Sequence, residues 1–156
     1  MQNSTSIKTT CYSYFSICSS GEIVDGMGLV AEESGIFSPD DITNMLGIQP
    51  FDTKTAGMPR KNGRGTYTFS DWAACKQTEP VMDAEKQCRK IVREVRPHLS
   101  KLQEIKKKFN VDFTLMIVPH IYNEENPILG FDREIIEFCY LTDTEIAVDM
   151  YIYDKE

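Results

Sequence analysis

The stretch EKQCRKIVREVRPHLSKLQEIKKKFNVDFTLMIV (85–118) decides the fold. Cys88, Ile91, Val92, Val95, Leu99, Leu102, Ile105 and Phe109 recur every three or four residues, the spacing that lines one face of an α-helix. At Val111 the period changes to two. Val111, Phe113, Leu115 and Ile117 fall on one side of an extended chain, so a helix predicted over 80–109 runs into a strand over 111–118. Pro97 lies inside the helical pattern, where it has no N–H to donate and its ring clashes with the carbonyl of Arg93. The stripe stays in phase beyond it, which predicts a kink.

On the N-terminal side, TCYSYFSIC (10–18) predicts a strand with Phe15 and Ile17 on one face and Tyr12 and Tyr14 on the other. Residues 19–35 read as an inserted loop or a small hairpin. Ser38-Pro39-Asp40-Asp41 supplies a capping serine, a proline at the first helical position and acids in the first turn. The short helix that follows carries Ile42, Met45 and Leu46 inward and stops at Gly47. Residues 49–65, punctuated by Pro50, Gly57, Pro59, Gly63 and Gly65, read as loop, and TYTFSDW (66–72) as a second strand. On the C-terminal side, a loop over 119–130 leads to a helix from Asp132 to Leu141. A last strand, EIAVDMYIY (145–153), turns Ile146, Val148, Met150 and Ile152 to the core.

The order β-α-β, long α, β-α-β predicts one α+β domain over 1–156, with a polar tail at 1–9. Its sheet has four strands, built from two β-α-β halves joined by the long kinked helix, with the helices mainly on one face. GIFSPDDIT (35–43) aligns with LGFDREIIE (129–137) at Phe37 with Phe131, Asp40 with Glu134, and Ile42 with Ile136. An acidic pair precedes each motif: Glu32-Glu33 and Glu124-Glu125. If the first strands of the halves run parallel, the dyads share an edge of the sheet. If a two-fold axis normal to the sheet relates the halves, they lie at opposite ends.

With 41% apolar residues among 156, the chain is too hydrophobic for disorder and long enough to bury a core. The polar opening MQNSTSIKTT predicts no secretory leader, and no apolar run reaches the length of a membrane span, so a cytoplasmic protein is expected. The five cysteines show no metal or redox spacing and are expected as free structural thiols. The net charge of −7 is uneven: residues 1–53 carry −6, residues 54–108 carry +8 and residues 109–156 carry −9. Either the flanks and the middle neutralise each other in the fold, or an acidic face docks a basic partner.

YSYFSI (12–17), FSPDDITNMLGIQP (37–50), the strand with Trp72, the long helix with its interior proline and the ending IAVDMYIY occur in this order. Together they resemble a bacterial family known as domain of unknown function 4279, over roughly residues 11–153. The longer stretch Glu22–Ser34 departs from it. The resemblance implies no catalytic residues, and such proteins tend to sit near toxin and immunity genes.

No constellation in the chain names a reaction. His98 and His120 are too few for a three-histidine zinc site. Asp132, Glu134 and Glu137 occupy the first turns of a helix, where acids favour the positive end of its dipole. GMPRKNGRG (57–65) has the spacing of neither a Walker loop nor a dinucleotide fingerprint. The expectation is therefore a non-enzymatic protein without metal or cofactor: a bacterial immunity protein that occludes a basic toxin domain, of the nuclease class, through Glu32, Glu33, Asp40, Asp41, Glu124 and Glu125. Direct nucleic-acid or membrane binding is not expected. The alternative is a sensor or scaffold domain that binds a small molecule or a protein, with Tyr12 and Tyr14 forming part of a pocket.

Overall fold

The computed structural model describes residues 8–79, 83–123 and 125–153. Along the chain the elements are β1 (Thr10–Ser19), β2 (Gly21–Val24), β3 (Gly28–Ala31), α1 (Pro39–Leu46), β4 (Pro50–Lys54), β5 (Asp71–Gln77), α2 (Ala84–Val95), α3 (Leu99–Lys108), β6 (Val111–Ile121), α4 (Arg133–Thr142), β7 (Thr144–Val148) and β8 (Tyr151–Ile152). The class is α+β. Among the described residues the main sheet has six strands, in the order β4-β5-β1-β6-β7, with β8 extending along β6 past the end of β7. The expected four-stranded sheet is thus too small.

The two additional strands are β4 and β8, the second arising because the predicted strand 145–153 divides into β7 and β8. Pro50–Lys54, read as loop, is the edge strand β4, where a leading proline leaves no ladder bond unmade. The predicted strand 66–72 begins in earnest at Asp71, because Tyr67 turns back on its own loop: its N–H donates to the Met58 carbonyl and its carbonyl accepts from Gly57. The insertion at 19–35 forms the separate hairpin β2–β3 and then a 3-10 turn over Glu33–Gly35.

β1 and β6 pair antiparallel over their whole length at the centre of the sheet. Because β5 is antiparallel to both β1 and β4, β4 runs parallel to β1, just as β7 runs parallel to β6. Each half therefore makes one parallel crossover, β1-α1-β4 and β6-α4-β7. β5 wedges between β1 and β4 in the first half alone, and of the aligned residues Ile42 is buried while Ile136 is 54% exposed.

The long helix is two helices. A 3-10 turn over Arg96–His98 holds Pro97 between α2 and α3, and the apolar stripe runs through both: Cys88, Ile91, Val92, Val95, Leu102 and Ile105 are fully buried. The part of the predicted span before Asp83 falls outside the described residues. α2 opens on Asp83, whose carboxylate accepts from the Glu85 N–H. α1 differs at its cap: the Ser38 hydroxyl makes no capping bond, and its carbonyl accepts from Asp41 N instead. Gly47 ends the helix at φ 67°, a left-handed conformation that a side chain would strain.

These helices bury one face of the sheet. Phe15, Ile17, Phe113, Leu115 and Ile117 pack with Ile42, Leu46, Ile91, Leu102, Ile135 and Phe138 in one cluster, and the Trp72 indole N–H donates to Thr43 Oγ1 at 3.0 Å. The last strand fits this core less well than its pattern predicts. Ile146 packs against the cluster, but Val148 and Met150 are 43% and 44% exposed and Ile152 is 70% exposed. The ladder of this strand to β6 is also interrupted. Ile117 and Ile121 offer their carbonyls to the β7–β8 side, so Pro119, two residues from each, turns its missing N–H to that same edge. The strand breaks there, at Asp149–Met150.

The basic middle and the acidic C-terminal flank neutralise each other at one seam. Arg89 pairs with Glu85 and Asp132, Arg93 holds Glu134 through two bonds of 3.0 Å, and Arg96 pairs with Glu137, linking α2 and the turn after it to α4, except for the Glu85 contact within α2. Solvent screens such surface pairs, so they orient the helices more than they stabilise them.

Candidate functional site: the bare face of the sheet

Opposite the helices, Tyr12, Tyr14, Thr114, Met116 and His120 stay half-exposed on the second face of β1 and β6. Two bulges on neighbouring strands shape this face. On β1, Ser13 pairs with Gln77 and Phe15 with Ala74, so Cys75 and Lys76 together oppose the single residue Tyr14. Cys75 absorbs the extra residue at φ 59°, a left-handed conformation unusual for a residue with a Cβ. Regular alternation would send Lys76 to the helix side with Trp72 and Ala74. The bulge reverses it, and the ammonium lies 4.5 Å from the Tyr12 ring centroid and 5.1 Å from that of Phe51.

Phe51 is itself the extra residue of the second bulge, since Pro50 pairs with Ala74 and Asp52 with Ala73. That shift puts the Phe51 ring on the same side as Asp52 and Lys54, edge-on to Tyr14 at 5.4 Å. The result is a recess of about 360 Å³ lined by Tyr12, Tyr14, Phe51, Asp52, Lys54, Asp71, Ala73 and Lys76.

One corner of the recess is ionic. Lys54 Nζ sits 3.2 Å from both Asp52 Oδ2 and Asp71 Oδ2, Lys61 bonds Asp52 Oδ1, and the Ser16 hydroxyl donates to Asp71 Oδ1 at 2.8 Å. Partial burial works against ionising Asp52, but its bonds from Lys61 and Lys54 prevail and hold the carboxyl below its usual value. Lys54 shows the mirror effect: desolvation would lower it, and Asp71 with Asp52 raises it. Burial, then the charge of Asp71, pushes the Tyr14 phenol up, so it stays a neutral donor.

The aromatic wall continues across the sheet. Tyr12 neighbours Tyr14 at 6.2 Å and His120 at 6.0 Å; His120 lies 5.0 Å from Tyr151 and 5.8 Å from Tyr153; Tyr153 stacks on Tyr122 at 4.4 Å. With Phe51 this makes a row of seven rings over β4, β1, β6 and the C-terminal end of the chain. His120 Nδ1 and the Tyr153 hydroxyl share a 2.8 Å hydrogen bond. Aromatic faces and a few placed charges are the furniture of a binding site. Burial lifts Cys18, the thiol on this face, to about 12, which removes it as a nucleophile.

The acidic residues singled out from sequence do not form one patch. Glu32 accepts from Asn110 Nδ2 at 2.9 Å, beside the end of β1 and the start of β6, and Glu33 is exposed next to it. Asp40 and Asp41 are exposed in the first turn of α1. Glu125 is exposed beyond Tyr122, past the other end of β6, and Glu124 lies outside the described residues. Since β1 and β6 are antiparallel, Glu32 and Glu125 stand at opposite ends of the sheet, about 30 Å apart along a ten-residue strand. Sequence reasoning reached Tyr12 and Tyr14 but missed Phe51, Asp52, Lys54, Asp71 and Lys76. The available signal was alternation: Tyr12, Tyr14, Tyr151 and Tyr153 all occupy positions opposite the core face. Among the described residues, no three His, Cys, Asp or Glu side chains are grouped to hold a metal. No helix among them is long and apolar enough to cross a membrane.

Fold and site together define an α+β domain with its helices on one side of the sheet and an aromatic recess on the other. The chain belongs to the family described as Domain of unknown function (DUF4279), whose model matches residues 9–153. No curated protein and no solved structure shows significant similarity to it.

Proposed function

We propose that the chain is a non-catalytic binding domain, a sensor or scaffold, that holds its ligand or protein partner on the bare face of the sheet. The observation that carries this reading is the pair of bulges at Phe51 and Cys75, which turn Phe51 and Lys76 toward Tyr12 and Tyr14. A left-handed Cys75 costs roughly 1–2 kcal/mol, and such strain clusters where a side chain must be aimed for function. A display library of random peptides, selected on the wild-type protein, tests it. Binders should lose affinity for Tyr12→Ala and Phe51→Ala and keep it for the double reversal Glu32→Lys with Glu33→Lys. Binders that respond the other way round would remove the bare face as the recognition surface.

A second reading has its own support: a bacterial cytosolic immunity protein that blocks a basic toxin domain, of the nuclease class. The hairpin β2–β3 exposes Ile23, Val24 and Met27 beside Glu22 and Asp25, with Glu32 and Glu33 close behind in the chain. An apolar tip ringed by acids suits a cleft built for phosphate. Co-expression with a toxin domain encoded beside the gene tests this reading. Protection of the cell that the Glu32→Lys, Glu33→Lys variant abolishes supports it, and unchanged toxicity with the wild-type protein rejects it.

A further inference from the structure

We infer that the recess takes a flat organic carboxylate, its anionic group paired with Lys76 and its body set against Tyr12, Tyr14 and Phe51. This rests on the reading of the bare face as the binding surface, and adds the chemistry of what it binds.

The charges at the recess decide the sign of the ligand. Asp52 and Asp71 present four carboxylate oxygens, and each already has a donor: Lys54 and Lys61 on Asp52, Lys54 and Ser16 on Asp71. A cationic ligand would have to compete with Lys54 and Lys61 for these carboxylates and would sit beside the ammonium groups of Lys54 and Lys76. Lys76 is in the opposite state. Of the two lysines that line the recess, Lys54 pairs with carboxylates, whereas among the described residues Lys76 has two rings and no carboxylate. Rings do not accept hydrogen bonds as a carboxylate does, so the exposed Lys76 ammonium keeps its donors at the mouth of the recess, free to exchange water for an anionic acceptor.

Shape sets the rest. Tyr12, Tyr14 and Phe51 supply apolar wall, Ala73 is small enough to leave room between them, and about 360 Å³ lies within the range of small-molecule sites. A charge-assisted bond from Lys76 to the carboxylate fixes the orientation, while the flat body stacks against the walls. The strained bulge at Cys75 gives Lys76 its place over the recess, across from Lys54.

The experiment is a set of NMR titrations of the full chain with phenylacetate, 2-phenylacetamide and phenethylamine, which share one ring and differ in charge. Phenylacetate should shift the resonances of Tyr12, Tyr14, Phe51 and Lys76. The amide and the amine should bind at least about tenfold more weakly, and Lys76→Met should weaken phenylacetate by a similar factor while Lys76→Arg restores part of it. An unchanged melting temperature for Lys76→Met, expected for an exposed side chain, keeps that loss from being a folding defect. Equal binding of the amide, preference for the amine, or indifference to Lys76→Met would overturn the carboxylate and leave the recess standing as a binding site. No shift at these residues with any of the three would also overturn it, and the peptide selection then decides separately whether the bare face binds at all.

Discussion

The Lys76 ammonium lies 4.5 Å from the centre of the Tyr12 ring, two strand faces meeting at a contact that regular β-structure would forbid. Tyr12 belongs to the bare face by the alternation of β1, and Lys76 joins it through the left-handed turn at Cys75. Position 75 therefore carries the geometry of the site without lining it.

Replacing Cys75 tests that dependence. Cys75→Gly should keep the fold and the shifts of Tyr12 and Lys76, since glycine takes φ 59° without strain. Cys75→Val, β-branched at a left-handed position, should lose about 2 kcal/mol or more in urea unfolding. Equal stability of the two variants would mean that the bulge relaxes freely and stores nothing.

The core and the C-terminal edge should answer mutation differently. Leu115→Ala and Phe113→Ala empty fully buried positions and should each cost about 2–5 kcal/mol. Val148→Ala, on the uncovered part of β7, should fall within about 0.5 kcal/mol of wild type. Chemical denaturation followed by the single tryptophan, buried Trp72, reads both.

Thiol reactivity gives a pH prediction. Burial first, and for Cys75 the charge of Glu94 after it, pushes Cys18, Cys75 and Cys88 from 9.0 up to about 12. The native protein should react slowly with a thiol reagent at neutral pH and the unfolded chain quickly. The sign for stability follows from linkage. The neutral thiols contribute fully below pH 9, and that contribution declines as pH rises from 9 towards 12, because the unfolded chain ionises first. Stability independent of pH across that range would contradict the burial of these groups.

At the acid end the relevant group is Asp52. Its folded value lies below the ordinary 3.8, through its bonds to Lys61 and Lys54 despite partial burial. Its contribution is complete above pH 3.8 and is lost as pH falls through the depressed folded value. Asp52→Asn should flatten that acid limb. The variant should also loosen β4, detected as faster amide exchange at Thr53 and Lys54, the edge strand Lys54 ties to β5 through Asp71.

The sequence by itself determined the α+β class, the helix at Pro39–Leu46 with its glycine stop, the two central strands and the buried stripe of α2 and α3. These are local: each depends on the period of apolar residues within one segment, and burial of that one face leaves few alternatives. Family membership was legible for the same reason, in the run from Phe37 to Pro50. Tertiary structure alone decided the six-stranded order, in which Pro50–Lys54 becomes a strand because an edge tolerates its proline. It alone decided that Val148 and Met150 stay exposed, at and just beyond the last pair of β7 with β6. It alone set Glu32 and Glu125 at opposite ends of the sheet, and made Arg89, Arg93 and Arg96 partners of α4. The recess is the sharpest case. Periodicity assigns Lys76 and Phe51 to the wrong face, since a bulge is one residue of mismatch between two strands, and no single strand records the register of its neighbour.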